Sequence, residues 1–424
     1  MTGAFHVSDL SRGLRVASER MDGVRSVALG IWIRSGARSE PDEKAGISHF
    51  IEHLLFKGSQ SYTAWDIARI FDEMGGEPNA ATSKEHTVVY ARFLDEDLEE
   101  ACRVMAEMVV RPSFANIDAE REVVLEEVAM YEDSPPELIH DLLTATVFGD
   151  HPLGRPVIGR CDTLKTQDAA AVRDYHSRHY VAPAVVIAGA GNVEHDHLCT
   201  LAGELFGALP PELPHDVPPS EPPDRHVAEF TQKDTEQFHV CLGGRSLRRD
   251  DPRRHALFVV DTLLGGSWSS RLFQEVRDER GLAYSVYSYT SLYSDTGLTG
   301  VYFGSREEAV GEAMSVILDE LRDICADVPD DEVLRAKKHL KGQLVLSMES
   351  PHSRMQALGR AVLFDLPVLT LDEMLTRIDN VTRDDVHEVA RSFYDPDQWS
   401  VACIGPRVDP FRRIVGGFDW REAP

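Results

Sequence analysis

The chain has 424 residues and a formal net charge of −27, and its apolar and charged fractions, 42% and 27%, are typical of a soluble globular protein. The acidic charge argues against a nucleic-acid-binding function, because phosphate recognition requires a basic surface. No stretch holds the roughly 20 apolar residues that a membrane-spanning helix needs. The length exceeds that of one ordinary hydrophobic core, so two domains are expected.

A proline-rich segment divides the sequence near its midpoint. Residues 209–225 read LPPELPHDVPPSEPPDR, a composition that suits an extended linker and is incompatible with a helix or a central strand. We therefore predict an N-terminal domain over residues 1–208, a linker over 209–225 and a C-terminal domain over 226–424.

The two halves repeat one pattern of predicted elements. In chain order, the first half is predicted to form two strands at Leu14–Ala17 and Val27–Ile33, two helices at Ile47–Phe56 and Ala64–Met74, two strands at Asn79–Thr82 and Thr87–Phe93, and a helix from Asp95. The second half repeats this order, with two strands at Val227–Thr231 and Phe238–Leu242, two helices at Pro252–Leu264 and Ser270–Glu279, two strands at Tyr284–Tyr293 and Gly297–Phe303, and a helix from Arg306. Because strands are grouped with strands and helices with helices, the pattern predicts a duplicated α+β domain with antiparallel sheets.

The cysteines and the first residues bear on location. The six cysteines are scattered, without a C-x-x-C pair, which predicts reduced, buried thiols of the cytosolic type. The opening residues MTGAFHVSDLSRG show neither a basic start followed by an apolar run nor an Arg-rich targeting character. A cytoplasmic protein is expected.

Three ionisable residues interrupt the apolar helix predicted within Gly46–Gly58, GISHFIEHLLFKG. His49, Glu52 and His53 are spaced i, i+3 and i+4, so they share one helix face. Two imidazoles one turn apart can bind a single Zn²⁺, and the carboxylate between them can act as general base on a water. A solvated face is the alternative, but the apolar flanks favour a buried helix whose polar groups a metal would compensate.

A catalytic zinc site needs a third protein ligand, and the helix predicted at Asp118–Tyr131 offers carboxylates. Glu120 and Glu127 are seven residues apart, which is two helical turns, so they lie on one side. Glu122 and Glu126 fall elsewhere on the helix and are expected to be solvated. Periodicity alone does not select Glu127 over Glu126.

The combination of motifs resembles a known family. HFIEH at His49–His53, followed about 70 residues later by EREVVLEEV, is similar to the M16 metallopeptidases (pitrilysin, insulin-degrading enzyme, mitochondrial processing peptidase), whose inverted zinc motif defines the inverzincins. The stretch FKGSQSYTAWDIARIFDEMGGEPNAATSKEHTVVYARF and the motif HPLGRPVIG (His151–Gly159) also resemble it. The resemblance covers nearly the whole chain and points to the single-chain bacterial members.

For the metal site, the resemblance implies one Zn²⁺ per chain. It assigns His49, His53 and Glu127 as ligands, Glu52 as the base and Glu120 as a supporting carboxylate at the catalytic site. It also implies a clamshell of two halves around a chamber, in a homodimer. The second half contains no H-x-x-E-H, so a second zinc site is not expected.

For substrate binding, the resemblance implies two further sets of residues. In VRDERGLAYSVYS, Arg277 and Tyr284 match a pair that can donate hydrogen bonds to peptide carbonyls and to a developing oxyanion. Without the resemblance, a surface arginine and a core tyrosine would be the favoured interpretation. Asn79, Ala80 and Ala81 match the edge strand to which an extended peptide would add by main-chain hydrogen bonds.

The sequence therefore predicts a zinc endopeptidase that acts on peptides or unfolded segments. The acidic composition suits basic peptides, although acidity also serves solubility alone. One alternative is a non-catalytic subunit of the same fold, a scaffold or peptide-binding module, which degraded metal ligands would mark. Another is an enzyme that needs a partner chain to supply the arginine and tyrosine. The intact ligand set and the presence of Arg277 and Tyr284 favour a self-sufficient enzyme.

Overall fold

A computed structural model describes residues 5–213 and 226–416 and the backbone of residues 419–422. Residues 214–225 of the predicted linker lie outside the described residues. The described chain forms two compact units, each with one six-stranded sheet and a set of helices. The predicted α+β class with two similar halves is confirmed.

The strands and helices follow in chain order. The strands are β1 (Phe5–Asp9), β2 (Arg15–Arg20), β3 (Ser26–Ile33), β4 (Glu77–Thr82), β5 (Thr87–Leu94), β6 (Val185–Gly191), β7 (Val227–Gln232), β8 (Phe238–Ser246), β9 (Ala283–Leu292), β10 (Gly297–Ser305), β11 (Ser400–Gly405) and β12 (Asp419–Glu422). The helices are α1 (Ile47–Leu55), α2 (Ala64–Glu73), α3 (Leu98–Val110), α4 (Ile117–Glu132), α5 (Pro135–Phe148), α6 (Cys161–Thr166), α7 (Ala169–His179), α8 (His195–Phe206), α9 (Arg254–Leu264), α10 (Glu307–Ala326), α11 (Asp330–Ser347), α12 (Pro351–Leu363), α13 (Leu371–Asp379), α14 (Arg383–Phe393) and α15 (Val408–Ile414).

The first unit comprises the described residues within 1–129, 156–217 and 345–372. Its sheet has the order β1-β2-β6-β3-β5-β4, so β4 is an edge strand. The main core lies on the face covered by helices that include α1, α3 and α8. The other face is covered by α12, whose Met355, Leu358 and Val362 belong to the same buried cluster as Trp32 of β3.

The second unit comprises the described residues within 130–155, 218–344 and 373–424, and its sheet has the order β12-β7-β11-β8-β10-β9. Helix α5 covers one face of this sheet, with Ile139, Leu143 and Val147 in one cluster with Leu298 and Ile404. Helices that include α9, α10 and α14 build the core on the other face.

The compact units differ from the consecutive domains predicted from the linker. Each unit takes one helix from the other half of the sequence: α12 packs on the first sheet and α5 on the second. The physical reason is that each sheet has two apolar faces, and both must be covered. A linker marks a change in composition, but it does not report which face a distant helix covers.

The sheets contain parallel as well as antiparallel pairs, whereas antiparallel sheets were expected. The pairs β2–β6, β7–β11 and β7–β12 are parallel, and the other pairs are antiparallel. Strands β6 and β11, VVIAGAG and SVACIG, were not predicted, and both are buried along their whole length. Such strands lack the alternation that marks a half-buried strand.

Two predicted helices also differ in detail. The helix expected from Asp95 starts as a 3₁₀ turn at Asp95–Asp97, and the α-helix begins at Leu98. The helix expected over Ser270–Glu279 contains a π-helical segment at Phe273–Asp278. Among the described residues, no helix is both long and apolar enough to cross a membrane.

Candidate metal centre

The start of helix α1 is held by a buried carboxylate. Glu40 accepts hydrogen bonds from the backbone N–H groups of Gly46 and Ser48, each at 2.7 Å. Gly46 has the left-handed φ of 93° that turns the chain into the helix. A negative charge at a helix N-terminus is favourable, because the first N–H groups have no partner within the helix.

The apolar side of α1 fixes the orientation of its polar side. Its apolar residues are fully buried in the core of the first unit: Ile47, Phe50, Ile51, Leu54 and Leu55. Because that side is buried, the face that carries His49, Glu52 and His53 points towards α4 and β4. There the two histidines lie near Glu127 and Glu52 accepts a hydrogen bond from Thr82. The burial expected from the sequence is therefore confirmed.

Two histidines of α1 and one glutamate of α4 converge. The Nε2 atom of His53 lies 3.1 Å from one carboxylate oxygen of Glu127, and the Nε2 atom of His49 lies 3.8 Å from the other. The two imidazole rings are 4.7 Å apart between centroids. One ligand atom from each of the three residues falls within 4.8 Å of the others, the only such group of metal-binding side chains within the described residues.

This donor set fits a zinc ion. Ligand atoms about 2.0–2.2 Å from a tetrahedral metal are about 3.3–3.6 Å apart, and the observed separations, 3.1 and 3.8 Å to the two different oxygens of Glu127, lie close to that range. Burial, with a contribution from His53, lowers the pKa of His49 to about 4, so its imidazole is neutral at pH 7. A neutral nitrogen is the form that binds a metal.

Helix α4 presents its glutamates on different sides. Glu120, Val124 and Val128 are buried, and Glu120 is only 5% exposed. Its carboxylate lies 2.9 Å from Nδ1 of His53. Glu126, in contrast, is exposed, as is Glu122. The packing thus places Glu127, rather than Glu126, beside the histidines, which periodicity left undecided.

Glu52 lies on the same face of α1, next to the edge strand β4. The hydroxyl of Thr82 donates a hydrogen bond to its carboxylate. Burial raises the pKa of Glu52 above its ordinary value, and the Thr82 hydrogen bond opposes that rise. Asn79, Ala80 and Ala81 precede Thr82 on β4, so the edge strand runs directly to the carboxylate proposed as the base.

Arg277 and Tyr284 belong to the second unit. The Arg277 guanidinium stacks 4.5 Å from the centre of the Tyr284 ring and 4.8 Å from that of Phe273. Tyr284 is 77% exposed, so it is not the core tyrosine that the alternative interpretation supposed. Arg277 is half-buried, and the role of the pair in substrate binding stays a prediction.

Sequence profiles and full-length relatives identify the family. The profile of the insulinase family, peptidase family M16, matches residues 15–160, and that of the peptidase M16 inactive domain matches residues 168–340. The chain is 42% identical to an uncharacterized zinc protease of Streptomyces coelicolor, over 96% of this chain and 91% of the relative. The chain belongs to the M16 peptidase family.

A second relative is similar in sequence, and two solved structures are similar in fold. An uncharacterized zinc protease of Bacillus subtilis is 39% identical, over 93% of this chain and 96% of the relative. The crystal structure of a peptidase M16 inactive domain from Pseudomonas fluorescens superposes with a TM-score of 0.89 at 22% identity, over 95% of this chain and 98% of that one. A protease from Helicobacter pylori gives a TM-score of 0.86 at 21% identity, over 95% and 99%. At these identities the two structures establish the M16 fold alone.

Sequence reasoning missed two residues that contact the candidate site or the helix that carries it. Glu40 lies six residues before Gly46, too far from α1 to be read as its cap. Thr82 ends a strand predicted for peptide binding, and its contact with Glu52 depends on how β4 packs against α1. No spacing rule connects either residue with the histidines.

Proposed function

We propose that this M16 family member is a zinc-dependent endopeptidase that hydrolyses peptides or unfolded polypeptide segments. The convergence of His49, His53 and Glu127 carries the proposal, because two imidazoles and a carboxylate with atoms within 4.8 Å are the donor set of a catalytic zinc site. The names of relatives as zinc proteases support it.

The residues around the three ligands suit peptide hydrolysis. Zinc, when bound, supplies Lewis acidity that polarises the scissile carbonyl and activates a water molecule. Glu52 would accept a proton from the attacking water and pass it to the leaving amine. The Thr82 hydroxyl holds the Glu52 carboxylate in one orientation through its hydrogen bond. Glu120 orients His53 through the contact with Nδ1.

Substrate binding is proposed to use main-chain and side-chain contacts. An extended peptide would pair with the free edge of β4 at Asn79, Ala80 and Ala81, since β4 ends its sheet. Arg277 and Tyr284 would donate hydrogen bonds to the peptide backbone. We also propose a homodimer with one zinc ion per chain and a preference for basic peptides, which suits the net charge of −27.

Metal analysis and one substitution test this function. The purified protein is expected to contain one zinc per chain and to cleave an internally quenched peptide. Glu52→Gln should keep the zinc and lose activity by a factor of about 10²–10⁴, the range for removing a general base. Glu122→Gln, an exposed position on α4, is the matched control and should remain active.

Two outcomes would contradict the proposal. Zinc-free protein, or equal cleavage by the wild type and Glu52→Gln, would favour the non-catalytic scaffold or peptide-binding subunit instead. The preference for basic peptides is a separate point, tested with matched Arg-rich and Glu-rich substrates at low salt. Equal kcat/KM for the two substrates would remove that preference and leave the peptidase assignment intact.

A further inference from the structure

Lys57 follows helix α1, four residues after His53, and its side chain reaches the glutamate that contacts this histidine. The Lys57 Nζ atom lies 2.8 Å from Oε2 of Glu120, and the other oxygen of the same carboxylate lies 2.9 Å from Nδ1 of His53. The backbone N–H of Lys57 donates to the carbonyl of Leu54 at 3.1 Å, which ties the residue to the end of α1. The two oxygens of Glu120 are thus divided between an ammonium group and an imidazole.

The Glu120 carboxylate needs this cation. Its side chain is 6% exposed, so little water can solvate it, whereas the Lys57 side chain is 37% exposed. A buried carboxylate without a charged partner is unfavourable, and removing one partner of such a pair leaves the other charge uncompensated. Within the described residues, the side chains that contact Glu120 by hydrogen bond or ion pair are Lys57 and His53.

The carboxylate in turn decides which nitrogen of His53 is free. An ionised carboxylate only accepts hydrogen bonds, so Nδ1 of His53 must carry the proton that it donates to Glu120. In the neutral imidazole, the form that binds a metal, Nε2 then keeps the lone pair, and this is the atom 3.1 Å from Glu127. His49 has no corresponding support, since its Nδ1 is buried without a hydrogen-bond partner among the described residues.

We propose that Lys57 is a positioning residue for the metal centre. It acts through Glu120, which it holds in the orientation that presents Nε2 of His53 to the metal. Because His49 lacks an equivalent partner, the affinity of the site for zinc depends on this Lys57–Glu120–His53 series. The inference rests on the proposed zinc-peptidase function, since it concerns the affinity of the same site.

The test is a double-mutant cycle with zinc affinity as the measurement. Apoprotein of the full chain is titrated with zinc in competition with a chromophoric chelator, for the wild type, Lys57→Met, Glu120→Gln and the double variant. Lys57→Met is expected to weaken zinc binding by about 10–100-fold, the usual effect of losing a residue that orients a ligand. In the Glu120→Gln background the same substitution should weaken binding by less than about threefold, because Lys57 then has no carboxylate to hold.

Two variants control for charge and folding. Lys57→Arg keeps a cation and should bind zinc within about tenfold of the wild type. Lys165→Met removes an exposed lysine of the same unit and should bind as the wild type does. The unfolding midpoint of each apoprotein shows whether it is folded, and if Lys57→Met is unfolded, Lys57→Gln takes its place in the cycle.

The outcomes separate the two proposals. Wild-type protein that does not bind zinc contradicts the proposed function itself. Wild-type protein that binds zinc, with Lys57→Met equally tight, overturns only the role of Lys57. An equal loss of affinity from Lys57→Met in both backgrounds also overturns it, since the residue would then act without Glu120.

Discussion

Gly46 and Gly159 pack backbone against backbone at the start of helix α1, which carries the candidate metal ligands His49 and His53. A β-carbon on Gly46 would lie 2.7 Å from the α-carbon of Gly159, and one on Gly159 would lie 2.5 Å from the α-carbon of Gly46. Both residues have a positive φ, 93° and 86°. The motif that ends at Gly159 therefore fixes where α1 begins, and with it the position of His49.

Replacement of Gly46 by alanine should destabilise the protein. The new methyl group would collide with the backbone of Gly159, and the left-handed φ adds strain for any residue with a β-carbon. We expect the free energy of unfolding to fall by at least about 2 kcal/mol, measured by denaturant titration. Gly75→Ala is the control: its φ is 58°, but nothing lies within 4 Å of a new β-carbon. It should cost about 1 kcal/mol, and an equal loss for both would contradict the importance of the glycine contact.

Glu127 and Glu126 offer a direct comparison of two adjacent glutamates. Glu127→Gln replaces a carboxylate beside His49 and His53 by a neutral amide, so the protein should lose most of its bound zinc and its peptidase activity. Glu126→Gln changes an exposed residue and should leave both unchanged. The measurement is zinc content after dialysis against a weak chelator. Zinc loss from the Glu126 variant alone would overturn the ligand assignment.

Removal of the Thr82 hydroxyl should change the pH dependence of cleavage. The hydrogen bond from Thr82 stabilises the ionised carboxylate of Glu52 and so lowers its pKa, against the raising effect of burial. Thr82→Val removes the lowering contribution, so the pKa of Glu52 rises and the acid limb of the pH–rate profile moves to higher pH. Thr82→Ser keeps the hydroxyl and should retain the wild-type profile. A shift of the limb to lower pH in the valine variant would contradict this account.

Burial of Asp261, in helix α9 of the second unit, should make the stability of the protein depend on pH. Burial raises the pKa of Asp261 from its usual 3.8 to about 6, and its Oδ1 atom has no hydrogen-bond partner within the described residues. The folded state holds this proton more tightly than the unfolded state. As the pH rises from about 4 to 6, ionisation of Asp261 therefore lowers the free energy of unfolding. Above about pH 6 this contribution does not change further.

Asp261→Asn should remove that loss. The rise in the pKa of Asp261 corresponds to at most about 3 kcal/mol of lost unfolding free energy. The asparagine variant should therefore be more stable than the wild type at pH 7.5. Near pH 4, where the aspartic acid is neutral in the folded protein, the two should differ little. Asp278→Asn, at an exposed position of the same unit, is the control. Lower stability of Asp261→Asn at pH 7.5 would show that the carboxylate has a favourable partner.

Local patterns predicted the strand and helix order well because it depends on neighbouring residues. The helices at Ile47–Leu55 and Ala64–Glu73 end within one residue of their predicted ends. Strands β1, β6 and β11 were not predicted; β6 and β11 are buried along their whole length and lack alternation, although the equally buried β10 was predicted. The sheet that α5 or α12 covers was also not predicted, because that choice depends on contacts with residues distant in the sequence.

The sequence by itself determined the face shared by His49, Glu52 and His53. A helix advances 100° per residue, so the spacing i, i+3, i+4 places these side chains together in any fold that keeps the helix. Only the tertiary structure decided that Glu127 rather than Glu126 faces them, that Glu40 caps the helix and that Lys57 meets Glu120. These contacts join residues on different elements, and their geometry is set by how α1 and α4 pack in the core, which no repeat along the chain encodes.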